Sequence, residues 1–192
     1  MQIEPSIFKA YDIRGIVGKT LTPEVARFIG LSFGSAAAEQ GERAVVVGRD
    51  GRLSGPDLLG GLVEGLRAAG LDVIDLGMVA TPMVYFGTNI ELDGRRATSG
   101  IMVTGSHNPP DYNGFKMVLG GKAIYGEQIQ ALRQRIEAGN FAKGNGGYKL
   151  VDVRQQYLDR IVGDVKLARP MKIALDAGNG VAGAFVGDLF RA

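Results

Sequence analysis

The 192-residue sequence contains no cysteine and a single histidine, His107. The first absence removes disulfides, thiolate metal sites and cysteine nucleophiles. The second removes multi-histidine metal sites. Any divalent metal must then be held by oxygen, which favours Mg²⁺ or a similar hard cation. A strong charge of either sign is also lacking: 22 basic residues against 20 acidic ones leave a net +2. Nothing calls for nucleic acid or an acidic membrane surface as partner. No apolar run approaches the ~20 residues of a membrane span. Met1 to Ala10 carries charge and Pro5 but no apolar h-region, so no secretory leader is expected and the expected location is cytoplasmic.

What is abundant is glycine, 30 of 192 residues in a chain that is 45% hydrophobic. That is about twice the average share, and it predicts many tight strand-to-helix turns. Thr22-Pro23-Glu24 reads as N-cap, Pro at the first helical position and an acidic first turn. Val25, Phe28, Ile29 and Phe33 then recur on one face until Gly41. Ser54-Gly55-Pro56-Asp57 is a capping-box-like start for a helix reaching Gly70, with Leu58, Leu62, Leu66 and Ala69 inward. Thr81-Pro82 opens a third helix, and Glu127 to Ala138 forms a fourth, closed by Gly139. Between them Ala44 to Val47, Leu71 to Leu76, Gly100 to Val103 and Phe115 to Leu119 read as buried strands. The alternation predicts an α/β fold, a three-layer α/β/α sandwich with a mixed, mainly parallel sheet. Residues 1–151 form the first domain in this reading. Asn140 to Tyr148, with three glycines, is the approach to a linker, and Asp152 to Lys166 a connecting helix. Met171 to Ala177 then opens a new strand, Gly178 to Gly183 a turn and Ala184 to Phe190 a helix. Residues 152–192 are thus expected to be a linker helix and the truncated start of a second, similar domain.

Chemistry concentrates in Thr104-Gly105-Ser106-His107-Asn108-Pro109-Pro110, directly after an apolar strand. Turn-formers at a strand's carboxyl end describe a rigid exposed loop, read either as a plain turn or as the platform for a held serine nucleophile. A hydrolase triad needs a base in reach and a third group to orient it. His107 is the only imidazole, and in an extended segment neighbouring side chains point apart, so it is expected to be badly placed to deprotonate Ser106. Phosphoryl transfer asks instead for cations around the transferring group. Lys9, Arg14, Arg49, Arg52 and Lys116 stand in strand-end contexts that supply them.

The segment from Gly100 to Pro109 resembles the active-site signature of the α-D-phosphohexomutases at every position. The resemblance extends to Lys9 to Gly15, Val47 to Arg52, Gly77 to Pro82, Asp111 to Lys116 and Asp176 to Gly180. Within that family the serine loop is similar to the bacterial phosphomannomutase/phosphoglucomutase branch. It departs from the Ser-Ala-Ser-His-Asn-Pro form usual in phosphoglucosamine mutases, which remains the alternative. The resemblance implies interconversion of hexose 1-phosphate and hexose 6-phosphate, with mannose and/or glucose as the sugar. The route implied is a phosphoserine at Ser106 and a hexose bisphosphate intermediate. Mg²⁺ is implied as cofactor, bound to Ser106 through its phosphoryl oxygen. Lys116 is implied as proton acceptor or donor, provided neighbouring cations such as Arg14 lower its pKa. His107, Tyr11 and Arg14 are implied as contacts to sugar or phosphate. The family's Asp-Gly-Asp-x-Asp-Arg metal loop does not occur in the sequence, nor do its sugar-discriminating and phosphate-binding loops. The expected partners are therefore the hexose phosphates and the missing C-terminal domains of the same enzyme, and the 192 residues alone are expected to be inactive. A non-catalytic phosphosugar-binding fragment is the second alternative. Gly178-Asn179-Gly180-Val181-Ala182-Gly183 also satisfies G-x-G-x-x-G. In this context it reads as tight strand–helix packing rather than a dinucleotide site.

Overall fold

The structure is a computed structural model that describes residues 3–192. Its strands and α-helices in chain order begin with β1 (Ile13–Ile16), α1 (Pro23–Glu39), β2 (Ala44–Arg49), α2 (Gly55–Ala68), β3 (Asp72–Met78) and α3 (Thr81–Gly87). A hairpin of β4 (Glu91–Leu92) and β5 (Arg95–Arg96) precedes β6 (Gly100–Val103), β7 (Tyr112–Leu119) and β8 (Lys122–Ala123). The chain closes with α4 (Glu127–Ala138), β9 (Tyr148–Leu150), α5 (Arg154–Asp164) and α6 (Val186–Arg191). The main sheet has the order β1-β7-β6-β2-β3-β9, with β8 beside β7. β6, β2, β3 and β9 pair in parallel, whereas β7 is antiparallel to β1, β6 and β8. Only β7 therefore opposes the common direction, which is the mixed, mainly parallel sheet the sequence predicts.

Alternation along β2 builds the three layers. Val45 and Val47 face one way, packing with Leu58, Leu62 and Leu66 of α2, Ile29 and Phe33 of α1, and Ile129, Leu132 and Ile136 of α4. Ala44 and Val46 face the other way, against Met83 and Val84 of α3 and Leu158 of α5. Strands buried on both faces need apolar residues at consecutive positions, as in the Ala44 to Val47 run. α1 is capped as expected: Thr22 Oγ1 accepts from the Val25 N–H at 3.2 Å. α2 is not. Ser54 makes no capping hydrogen bond, because its hydroxyl instead accepts from Asn113 Nδ2 of β7 at 2.9 Å. Among the described residues no helix is long and apolar enough to cross a membrane.

Two segments differ from the sequence reading. The glycine-rich stretch before Tyr148 is bound to the body: the Gly144 and Gly146 N–H groups donate to Ala68 and Arg67 carbonyls, and Arg67 Nε donates to the Gly146 carbonyl at 2.8 Å. Tyr148–Leu150 then joins β3 as the far edge strand. Met171 to Ala177 is not a strand. Its alternating pattern is real, but a strand exists only by pairing and among the described residues no neighbouring strand meets it. The helical end that follows does find a contact: the Tyr157 ring of α5 lies edge-on to Phe86 at 5.5 Å and to Phe185 at 6.2 Å.

Candidate active site

The carboxyl ends of β6 and β2 meet at one rim of the sheet, where Val103 pairs with Arg49. The chain after β6 does not run on extended. The Asn108 N–H and its side-chain Nδ2 both donate to the Gly105 carbonyl, at 3.0 and 2.9 Å. Ser106 within this turn has φ of 52°, a left-handed conformation uncommon for residues other than glycine. The curl brings Ser106 Oγ within 3.3 Å of His107 Nδ1. The expectation that these neighbours diverge is thus overturned, because the backbone between them is left-handed rather than extended. Among the described residues no carboxylate hydrogen-bonds the His107 ring, so the contact is not a triad.

Asp50 and Arg52, on the loop after β2, hold the turn. Asp50 Oδ2 accepts from Thr104 Oγ1 at 2.8 Å and from the Gly105 N–H at 3.1 Å. Thr104 Oγ1 in turn accepts from the Ser106 N–H at 2.9 Å. Arg52 lies across the loop from the other side. Its Nη1 donates to the carbonyls of Pro109 at 2.7 Å and Tyr112 at 2.9 Å. Its Nη2 donates to those of Asn108 at 2.6 Å and Ser106 at 3.2 Å. Nε stands 3.6 Å from Asp50 Oδ2. The loop is wrapped so closely that a Cβ at Gly105 would sit 2.2 Å from Arg52 Nε. Arg52 is therefore not a free cation for an anionic ligand, as its strand-end position suggested. Arg49 turns toward α2, its Cδ facing Gly55, and its Nη1 donates to the Asp50 carbonyl at 3.1 Å.

Ser106 is exposed and lines an open cavity of about 940 Å³. Asp50, Thr81, Met102 and Asn108 form part of its wall, and Asn179 and Val181 approach from the chain's last turn. Tyr11, Arg14 and Lys116 stand apart from it. Arg14 of β1 pairs with Gly114, and Lys116 pairs with Met102. Opposed and alternate residues share a face, so both cations project to the α3 side of the sheet beside β6. There Asp12, only 7% exposed, accepts from Arg14 Nη2 at 2.5 Å and lies 3.6 Å from Lys116 Nζ. Arg14 is thus not a bare cation beside Lys116; a carboxylate stands between them. Tyr11 is 77% exposed. The structure brings Ser106 to His107 and Arg14 to Lys116, but among the described residues no hydrogen bond joins the two pairs. Asp12, Asp50, Thr104 and the clamp made by Arg52 were missed from sequence. The contacts of Asp50 and Arg52 span 54 to 60 residues and leave no local pattern to read.

Residues 5–143 match the family described as phosphoglucomutase/phosphomannomutase, alpha/beta/alpha domain I. A phosphomannomutase/phosphoglucomutase of Pseudomonas aeruginosa is 52% identical over 187 residues, 97% of this chain and 40% of that protein. A phosphoglucomutase of Neisseria gonorrhoeae is 53% identical over 191 residues, 98% of this chain and 41% of that one. A crystal structure of a phosphoglucomutase/phosphomannomutase family protein from Burkholderia thailandensis superposes with a TM-score of 0.96 at 61% identity, over 99% of this chain and 42% of that one. The chain thus spans about 40% of the length of the curated relatives it matches. With the family's first domain matched from Pro5 to Lys143 and the serine loop folded at its sheet rim, the chain belongs to the phosphoglucomutase/phosphomannomutase family.

Proposed function

We propose that this chain carries the phosphoserine part of a phosphosugar mutase that interconverts hexose 1-phosphate and hexose 6-phosphate. Residues 1–151 are its first domain, and 152–192 the connecting helix and opening of a second. The observation that carries the reading is Ser106: an exposed hydroxyl on a left-handed residue of a clamped loop, at the rim where parallel strands end. Mannose and glucose are the proposed sugars because the relatives bear those names.

In the forward half-reaction the Ser106 Oγ–P bond breaks and an O–P bond forms to the free hydroxyl of the hexose monophosphate. The hydroxyl's proton passes to Lys116, the leaving Ser106 Oγ takes one from His107 Nδ1, and hexose bisphosphate and free Ser106 result. In the return half-reaction Ser106 Oγ attacks the other phosphoryl group, its proton passing to His107 Nδ1, 3.3 Å away. The sugar oxygen leaves and is reprotonated from Lys116. Arg14 and Tyr11 bind the sugar or the phosphate not being transferred, a guanidinium being suited to bidentate phosphate contact.

Mg²⁺ is the proposed cofactor, but the described residues do not make a site for it. Among them no three His, Cys, Asp or Glu side chains gather as ligands. Ser106, through its phosphoryl oxygen, is the one ligand proposed from this chain. The test is incubation of the purified chain with glucose 1,6-bisphosphate and Mg²⁺, followed by intact-mass and peptide mapping. One phosphoryl group at Ser106 is expected. A phosphate on Ser99 or Thr104 instead, or none at all, would overturn the assignment.

A further inference from the structure

We propose that Asp50 and Arg52 are positioning residues that together form a charge-compensated clamp setting the reactive geometry of Ser106. The chemical meaning of this role rests on the phosphoserine reading; the geometry does not. A left-handed serine costs free energy and persists only where its surroundings over-determine it. Here they do so on both sides of the turn. Asp50 holds the entry through Thr104 Oγ1 and the Gly105 N–H. The same threonine oxygen relays the hold to the Ser106 N–H. Arg52 holds the exit, gathering the carbonyls of Ser106, Asn108, Pro109 and Tyr112 onto two nitrogens.

Two features separate this arrangement from ordinary loop packing. The first is geometric. Four carbonyls from one loop converge on a planar fork, and the absence of a side chain at Gly105 leaves room for that fork. Lysine, a point charge with three donors on a flexible stem, cannot reproduce it. The second is electrostatic. Each side chain is only 17% exposed, and Asp50 Oδ2 stands 3.6 Å from Arg52 Nε. The clamp's two charges largely cancel, so it orients Ser106 without adding a net field of its own. A dianionic phosphoryl group on Oγ must then be matched by charges other than the clamp, which leaves them free to follow the group as it transfers.

The test uses the purified 192-residue chain and the substitutions Arg52→Ala, Arg52→Lys, Asp50→Asn and Thr104→Val. Amide hydrogen exchange is followed at Gly105 and Ser106, with Val46 as the core reference. The ring resonances of His107, the sole histidine, report the Ser106–His107 contact without ambiguity. The initial rate of phosphate uptake from glucose 1,6-bisphosphate with Mg²⁺ is measured alongside. Each substitution is expected to leave Val46 exchange unchanged and to speed exchange at Gly105 or Ser106 by about tenfold or more, the loss of one buried hydrogen bond. The His107 resonances move toward those of a free imidazole, uptake falls with them, and Arg52→Lys does not restore either.

Folded variants with wild-type exchange and wild-type His107 resonances would overturn the clamp. Should Arg52→Ala fail to fold, Thr104→Val, which removes only the relaying hydroxyl, decides by the same readouts: a Ser106 amide exchanging at the wild-type rate overturns the proposal. Should the wild-type chain take up no phosphate, the phosphoserine reading falls, while exchange and the His107 resonances still decide the clamp.

Discussion

Among the described residues, two other than glycine have positive φ, Asp93 and Ser106, both at 52°. Asp93 is accounted for by its turn. It precedes Gly94, φ 72°, in the two-residue connection between β4 and β5, and an Asp-Gly pair with both φ positive is the favoured hairpin turn. Ser106 has no such explanation, since its loop joins two strands through eight residues and glycine would serve the backbone better. The conflict between local preference and observed conformation falls on the one residue with a proposed covalent role, which is where stored strain is expected. Replacing Ser106 by glycine should therefore raise stability by about 0.5–1 kcal/mol while removing the phosphate acceptor. Urea unfolding and phosphate mapping on the same protein check both halves, and a loss of stability on Ser106→Gly would show that the serine side chain supports the loop.

At the level of elements, the glycine excess has more causes than the turns the sequence reveals. Ten glycines do take positive φ, as expected of turns. A second set lies inside α1 and α2, where a Cβ at Gly65 would meet the Arg27 carbonyl oxygen at 2.0 Å and one at Gly61 the Pro23 carbonyl oxygen at 2.1 Å. The two helices pack backbone to backbone there. Gly65→Ala should cost about 1–3 kcal/mol through overpacking, in spite of alanine's better helix propensity. Gly60, exposed on the same helix with nothing within 4 Å, should instead stabilise on mutation to alanine by about 1 kcal/mol. Thermal unfolding of the two variants should shift in opposite directions.

The edge strand β9 offers a pH test. The Tyr148 hydroxyl donates to Asp75 Oδ2 at 2.8 Å, and burial, with that hydrogen bond second, pushes its pKa up from 10.0 to about 12. The folded chain therefore keeps a proton that the unfolded chain loses, so the contribution is full below pH 10 and is lost as pH rises through 12. The ring is half exposed, and solvent screening limits the effect to about 1 kcal/mol or less. Tyr148→Phe should flatten the fall in stability across that window, and an unchanged slope in alkaline unfolding would count against the pairing. Helices and central strands were legible because caps and apolar periodicity are local. β9 was not, because its strand character comes from β3 alone: its three residues are exposed and lie behind a glycine-rich stretch with no periodicity.

For the molecule as a whole, the fold class and the serine loop were legible, whereas the site's completeness was not, since that depends on what converges in space. The described residues hold a clamped serine loop, an open cavity and two cations on one carboxylate, but no cluster of metal ligands. One phosphoryl transfer onto Ser106 asks for a donor in the cavity and little more. Repeated interconversion asks for the bisphosphate to be kept, turned end for end and shielded from water, which needs a closed site. The 192 residues by themselves should therefore accept phosphate slowly and once, without cycling hexose 1-phosphate to hexose 6-phosphate. The segment from Met171 to Ala177, exposed and unpaired, should exchange its amides far faster than β2 or β6, whose ladders are internal to the sheet. The measurement is a coupled assay with hexose 1-phosphate, bisphosphate primer and Mg²⁺, run beside hydrogen exchange on the same preparation. Turnover matching a full-length relative would place the whole chemistry within these residues. The division between a first domain that bears the phosphate and later ones that handle the sugar would then have to be abandoned.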